Sequence, residues 1–86
     1  MKIKRTRIFE KRFTKLPEHL QEKTEKAIRL LIRDMLHPSL HTKKVGGTKD
    51  IFEARVDYHY RFTFTFRNDV IVLRVVGNHD EVLKKP

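Results

Sequence analysis

The chain has 86 residues, with 20 Lys and Arg against 11 Asp and Glu, a formal net charge of +9, five His and no Cys. That length holds one small domain, residues 1–86, with a single core, and the charge selects a polyanion or an acidic protein as partner over a membrane surface. Without cysteine, disulfide frameworks, thiolate catalysis and cysteine-based zinc sites are excluded; the histidines carry no metal-ligand spacing, so neither metal nor cofactor is expected. No segment approaches the roughly 20 apolar residues of a spanning helix, and MKIKRTRIFEKRF puts charge where a signal peptide has its apolar centre. The expected location is cytoplasmic, with no membrane partner.

In chain order, Met1 to Arg5 reads as a short edge strand whose lysines discourage further pairing. Phe9, Phe13 and Leu16 share a helical stripe, and Pro17 breaks it at a position suited to the first turn of a second helix. That helix carries Leu20, Thr24, Ala27, Ile28, Leu31 and Met35 inward, Lys23, Lys26, Arg29 and Arg33 outward, and ends at His37 and Pro38. The stretch Ser39 to Asp50, with Gly46 and Gly47, reads as a turn from a short strand into the main meander. Three strands follow, joined at Asp57 to His59 and at Asn68 and Asp69, and adjacent strands are expected to be antiparallel and sequential.

The two-residue period sorts the side chains of this meander. Phe52, Ala54 and Val56 fall on one face, with Glu53, Arg55 and Asp57 on the other. Tyr60, Phe62, Phe64 and Phe66 point into a core and leave Arg61, Thr63, Thr65 and Arg67 outside; Ile71, Leu73 and Val75 go in and Arg74 goes out. The fold class is therefore α+β: an N-terminal helix pair on one face of a small antiparallel sheet, with Arg55, Arg61 and Arg74 converging on the other, open face.

These elements together resemble the RelE/ParE superfamily of bacterial type II toxins, within it the RelE and YafQ-like branch. The resemblance spans almost the whole chain: the Phe9 to Leu16 helix, LPEHLQEKTEKAIRLLIRDMLHP, LHTKKVGGTKDIFEARVDYHYRF and the closing VVGNHDE. It implies a RelE-like fold, a ribosome-associated endoribonuclease that cuts messenger RNA, and an acidic cognate antitoxin that wraps the toxin. The ParE-like branch, which poisons DNA gyrase, and a non-catalytic RNA-binding module remain the alternative functions.

The resemblance also implies roles. Arg61 sits where the family has an arginine that contacts the reactive phosphate, a task suited to a planar, permanently charged guanidinium; otherwise it is a strand arginine in a surface ion pair. His79 occupies the position of a catalytic histidine or other basic residue, able to protonate a leaving 5'-oxygen or deprotonate a 2'-hydroxyl; otherwise it is a turn histidine bonded to Asp80 or backbone. Glu53 is a candidate base for the 2'-hydroxyl, against a cross-strand salt bridge to Arg61 or Arg74. Arg55 and Arg74 are candidate RNA contacts, and Lys43, Lys44 and Lys49 beside the glycine turn are candidates for tracking the RNA or ribosomal-RNA backbone. Tyr58 or His59 can stack a base, and His41, Tyr58 and His59 equally read as loop residues. In one respect the chain departs from the family: Val82, Leu83, Lys84, Lys85 and Pro86 supply no aromatic after His79.

Overall fold

A computed structural model describes residues 2–86, leaving Met1 of the expected first strand outside the described residues. Strand β1 (Lys2–Arg5) leads into helices α1 (Arg7–Thr14) and α2 (Glu18–Arg33), then a 3-10 turn at Pro38–Leu40. After it come β2 (Lys43–Lys44), β3 (Phe52–Arg55), β4 (Tyr60–Arg67), β5 (Val70–Asn78) and a last helix, α3 (His79–Lys84). The five strands form one sheet in the order β1-β5-β4-β3-β2.

Local chemistry fixes the helical hairpin. Thr6 caps α1 by accepting from the Phe9 N–H at 3.1 Å, and Pro17 opens α2, where its missing donor costs nothing. Gln21 Nε2 donates to the Phe13 and Leu16 carbonyls, each at 3.1 Å, satisfying groups that the end of α1 leaves free. The buried stripe of α2 is Leu20, Thr24, Ala27, Ile28 and Leu31, as its spacing requires. The helix ends at Arg33, a turn before His37 and Pro38; His37 instead caps the 3-10 turn, accepting from Ser39 N–H.

Both helices pack on the inner face of the sheet, where Phe9, Ile28 and Leu31 meet Phe62, Phe64, Ile71 and Leu73. Arg5 also lies there, its guanidinium 5.5 Å and 5.1 Å from the centroids of Phe9 and Phe13 and paired with Glu25. The fold class is α+β with helices packed on the sheet, but the sheet is mixed. β1 runs parallel to β5, Ile3 opposite Ile71, because the two helices return the chain before the meander begins.

The register of β5 breaks once. Thr63 pairs with Val75 and Phe64 with Leu73, so Arg74 is an extra residue in the strand. Alternation before it puts Leu73 in the core; after it the phase shifts, and Val76, opposite Phe62, takes the core position expected of Val75. Val75 turns to the outer face beside Thr63.

That outer face carries neither α1 nor α2, yet it is not bare. Thr63 and Thr65 are fully buried, and so are Glu53 at 3% and Arg61 at 8% exposure. Helix α3 lies over it: a Cβ built on Gly77 meets Val82 Cγ2 at 3.5 Å. The tail follows, its Pro86 carbonyl accepting from Thr63 Oγ at 2.8 Å and Arg74 Nε at 3.0 Å. Asp50 accepts from Thr65 Oγ at 2.7 Å at the opposite end.

Candidate functional site

One rung at the end of the sheet gathers the chemistry. Arg55 of β3 faces Arg61 of β4, and Arg61 faces Gly77 of β5, all on the outer face. Directly opposed cations repel, and in this sheet they stand next to the β3–β4 loop and the start of α3. His79, the first residue of α3, donates its backbone N–H to the His59 carbonyl at 2.8 Å, which ties the helix to that loop.

Arg61 is not the exposed strand residue that alternation alone suggests. Its Nη1 donates to the carbonyls of Asp57, Tyr58 and Tyr60 at 2.6, 2.9 and 3.0 Å, so the guanidinium folds back and holds the loop. Its Nε stands 3.8 Å from Glu53 Oε1, an ion pair too long for a hydrogen bond. Burial first, then the neighbouring charge of Arg55, pulls its pKa below the ordinary guanidinium value. Asp57 completes the loop: its Oδ1 accepts from the His59 and Tyr60 N–H groups at 3.0 and 2.9 Å, and its other oxygen meets Lys23 of α2 at 3.7 Å.

Arg55 is the contrasting partner. Among the described residues no protein group hydrogen-bonds its guanidinium, and Nε is buried without an acceptor. A buried donor left without an acceptor costs free energy.

The other predicted residues separate into three groups. His79 has a side chain 44% exposed, with Nδ1 3.5 Å from an Asp80 carboxylate that is itself 93% exposed, so its ring edge reaches solvent. Glu53 lies two rungs inside the arginine pair on the same face, opposite Thr63, buried as the counter-ion of Arg61. Arg74 sits at the bulge and is engaged with the Pro86 carbonyl, away from the Arg55–Arg61 rung, so the three arginines do not converge. Lys43 pairs with Glu53 and Lys44 with Phe52; alternation therefore sends only Lys43 to the outer face, and Lys49 is an exposed loop residue. Tyr58 is 74% exposed, its ring edge-on to His59 at 5.0 Å, while His41 ends the 3-10 turn in a left-handed conformation.

Helix α3 and the organising role of Asp57 were absent from the sequence expectations. The sequence did hold a signal for the helix: Asn78-x-x-Glu81 is a capping-box pattern, and Asn78 Oδ1 accepts from Glu81 N–H at 2.9 Å while the two side chains bond to each other.

No protein-family model matches the chain, and no curated protein matches it. Solved structures do. YafQ from E. coli strain BL21(DE3) superposes with a TM-score of 0.77 at 14% identity, covering 92% of this chain and 93% of that one. The RelE-like toxin fold is this chain's fold. The RelB-RelE antitoxin-toxin complex from Methanococcus jannaschii matches at 0.75 and 20% identity over 96% and 99% of the two chains. A YoeB/ParE toxin from Agrobacterium tumefaciens matches at 0.78 and 15% over 92% and 99%. On this RelE-like fold the Arg55–Arg61 rung, the β3–β4 loop and the N-terminus of α3 meet at one end of the sheet. No described helix is long and apolar enough to cross a membrane.

Proposed function

We propose that this chain is the toxin of a type II toxin–antitoxin pair, acting in the cytoplasm, and that it cleaves messenger RNA on the ribosome without a metal. The reaction is attack of a ribose 2'-hydroxyl on the adjacent phosphorus: the P–O2' bond forms, the P–O5' bond breaks, and a 2',3'-cyclic phosphate and a 5'-hydroxyl result. The 2'-hydroxyl loses one proton and the leaving 5'-oxygen gains one.

The observation that carries this reading is the rung on which Arg55 faces Arg61 without a protein acceptor for its buried Nε, and on which Gly77 lies two residues before a solvent-reaching His79. In this assignment Arg55 binds the reactive phosphate and stabilises the charge that builds on its oxygens. Arg61 adds its field to the same oxygens while holding the loop. His79 exchanges the proton with the 5'-oxygen or the 2'-hydroxyl. Glu53 serves as the buried counter-ion that keeps Arg61 in place, and Lys43 and Lys49 contribute to long-range attraction of the RNA backbone. With no aromatic after His79, Tyr58 is the exposed ring available for stacking a base.

Primer extension on cellular messenger RNA after induction tests the reading. Discrete new ends within translated frames are expected, and growth arrest should be relieved by an acidic partner protein. Growth arrest with intact messenger RNA and inhibited gyrase supercoiling would replace this reading with the gyrase one.

A further inference from the structure

The β3–β4 loop is clamped from both sides. Arg61 binds its carbonyls, and the Asp57 carboxylate binds its N–H groups, Oδ1 accepting from His59 at 3.0 Å and from Tyr60 at 2.9 Å. An Asp that accepts from the N–H two residues on is an ordinary turn device. The bond from Tyr60 reaches further. Its N–H and the His59 carbonyl belong to one planar trans peptide unit and point in opposite directions, so fixing the one fixes the other. That carbonyl accepts from the His79 N–H at 2.8 Å.

His79 needs such an anchor. It is the first residue of α3, where a backbone N–H has no partner within the helix, and the Asn78 side chain serves the Glu81 N–H instead. Its ring is partly exposed and pairs with the exposed Asp80 at 3.5 Å, a contact worth little in water. The place of the imidazole near the Arg55–Arg61 rung is therefore set by the backbone at the start of α3, and the His59 carbonyl holds that backbone.

We propose that Asp57 is a positioning residue for His79, acting through the His59–Tyr60 peptide and touching neither the message nor the reacting atoms. Its kinetic consequence rests on the nuclease reading above; the structural link does not. The acceptor oxygen matters more than the charge, because the Lys23 Nζ that meets the other oxygen at 3.7 Å is mostly in solvent. Tyr58 lies on the same loop, so the competing role for Asp57 is to shape a base-stacking surface. The two differ in kinetics: a displaced proton donor slows the step, whereas a displaced stacking ring weakens binding.

Single-turnover cleavage on programmed ribosomes, with the full chain in excess at varied concentration, separates the saturated rate from half-saturation. Asp57→Ala should lower the saturated rate by about 10²-fold, the effect of misplacing a catalytic group by about 1 Å, and leave half-saturation in place. Asp57→Asn keeps the acceptor and should stay within about fivefold of the parent, the loss of an exposed ion pair. In a His79→Ala background, Asp57→Ala should add no more than about fivefold, because two residues acting as one unit are not additive. The His79 amide should exchange about tenfold faster in Asp57→Ala, with the β4–β5 amides unchanged, and keep its protection in Asp57→Asn. If Asp57→Ala does not fold, Asp57→Ser, which shortens the acceptor, takes its place in the same comparisons. An unchanged rate or an unchanged His79 amide would overturn the proposal. So would a shift in half-saturation alone, an Asn variant as slow as the Ala variant, or a full loss repeated without His79. If the parent cuts no message, the nuclease reading falls by itself, and the His79 amide alone decides the link from Asp57.

Discussion

Replacing Arg61 by Ala separates a phosphate-binding arginine from one that holds the fold. At an exposed strand position the change would cost less than about 0.5 kcal/mol. Here the side chain is 10% exposed, its Nη1 serves three loop carbonyls, and it pairs with Glu53, 4% exposed at 3.8 Å. Removing one partner of a buried pair strands the other charge and costs about 3–5 kcal/mol; the separation of this pair points to the lower end. A chain of this size has a total stability of about 4–13 kcal/mol, so the loss is a large fraction of it. With roughly 4–8 °C per kcal/mol for a small domain, a loss of about 3 kcal/mol should lower the melting temperature by about 12–24 °C. Thermal unfolding followed by circular dichroism reads this directly. A second variant, Glu53→Gln with Arg61→Met, removes both charges and should recover part of the loss. A fall of less than about 2 °C for Arg61→Ala would refute the structural role, and lost cleavage in that variant could then be assigned to catalysis.

Arg55→Ala should abolish messenger-RNA cleavage while moving the melting temperature by less than about 4 °C, because an unbonded donor and a like-charge repulsion are lost together; this is checked by cleavage and unfolding on one preparation. His79→Ala should slow single-turnover cleavage by about 10² to 10⁴-fold without comparable loss of RNA binding, measured by rate and filter binding. Asn78→Ala removes the cap of α3 and should cost about 1 kcal/mol, with increased amide exchange confined to α3 and the loop it touches. Because Arg61 has its pKa lowered in the fold, the unfolded chain holds that proton more tightly, and its contribution to stability rises only as pH enters the guanidinium range. Arg61 should therefore add no slope to the melting temperature between about pH 5 and 9, checked by comparing the parent with the Arg61→Met, Glu53→Gln variant.

Much of the scaffold was legible because local and global signals agree. The alternation of YRFTFTFR and the stripe of α2 both survive into the core, and the Asn68 turn adopts the left-handed conformation that Asn tolerates. The parallel pairing of β1 was not legible, since pairing direction depends on where the helix pair returns the chain rather than on the strand's own residues. Alternation failed at one point: a single extra residue at Arg74 inverted Val75 and Val76, and the adjacent valines are the only local trace of it. At the candidate site, sequence parity put Arg55, Arg61 and Glu53 on the correct face but could not reveal that α3 and the tail cross it. The cross-strand pairing of Glu53 with Arg61 was one of the two readings that the sequence left open, whereas the burial of both residues is a tertiary consequence that strand parity does not carry.

Attack by the neighbouring 2'-hydroxyl is the central claim, and a ribosome-bound messenger RNA with a single 2'-deoxy nucleotide at the cut site tests it most directly. The all-ribose message should be cut to a 2',3'-cyclic phosphate or 3'-phosphate end, with chelators present or absent, and the deoxy message should stay intact at that position. Cleavage of the deoxy message at the normal rate would contradict the mechanism assigned to Arg55 and His79.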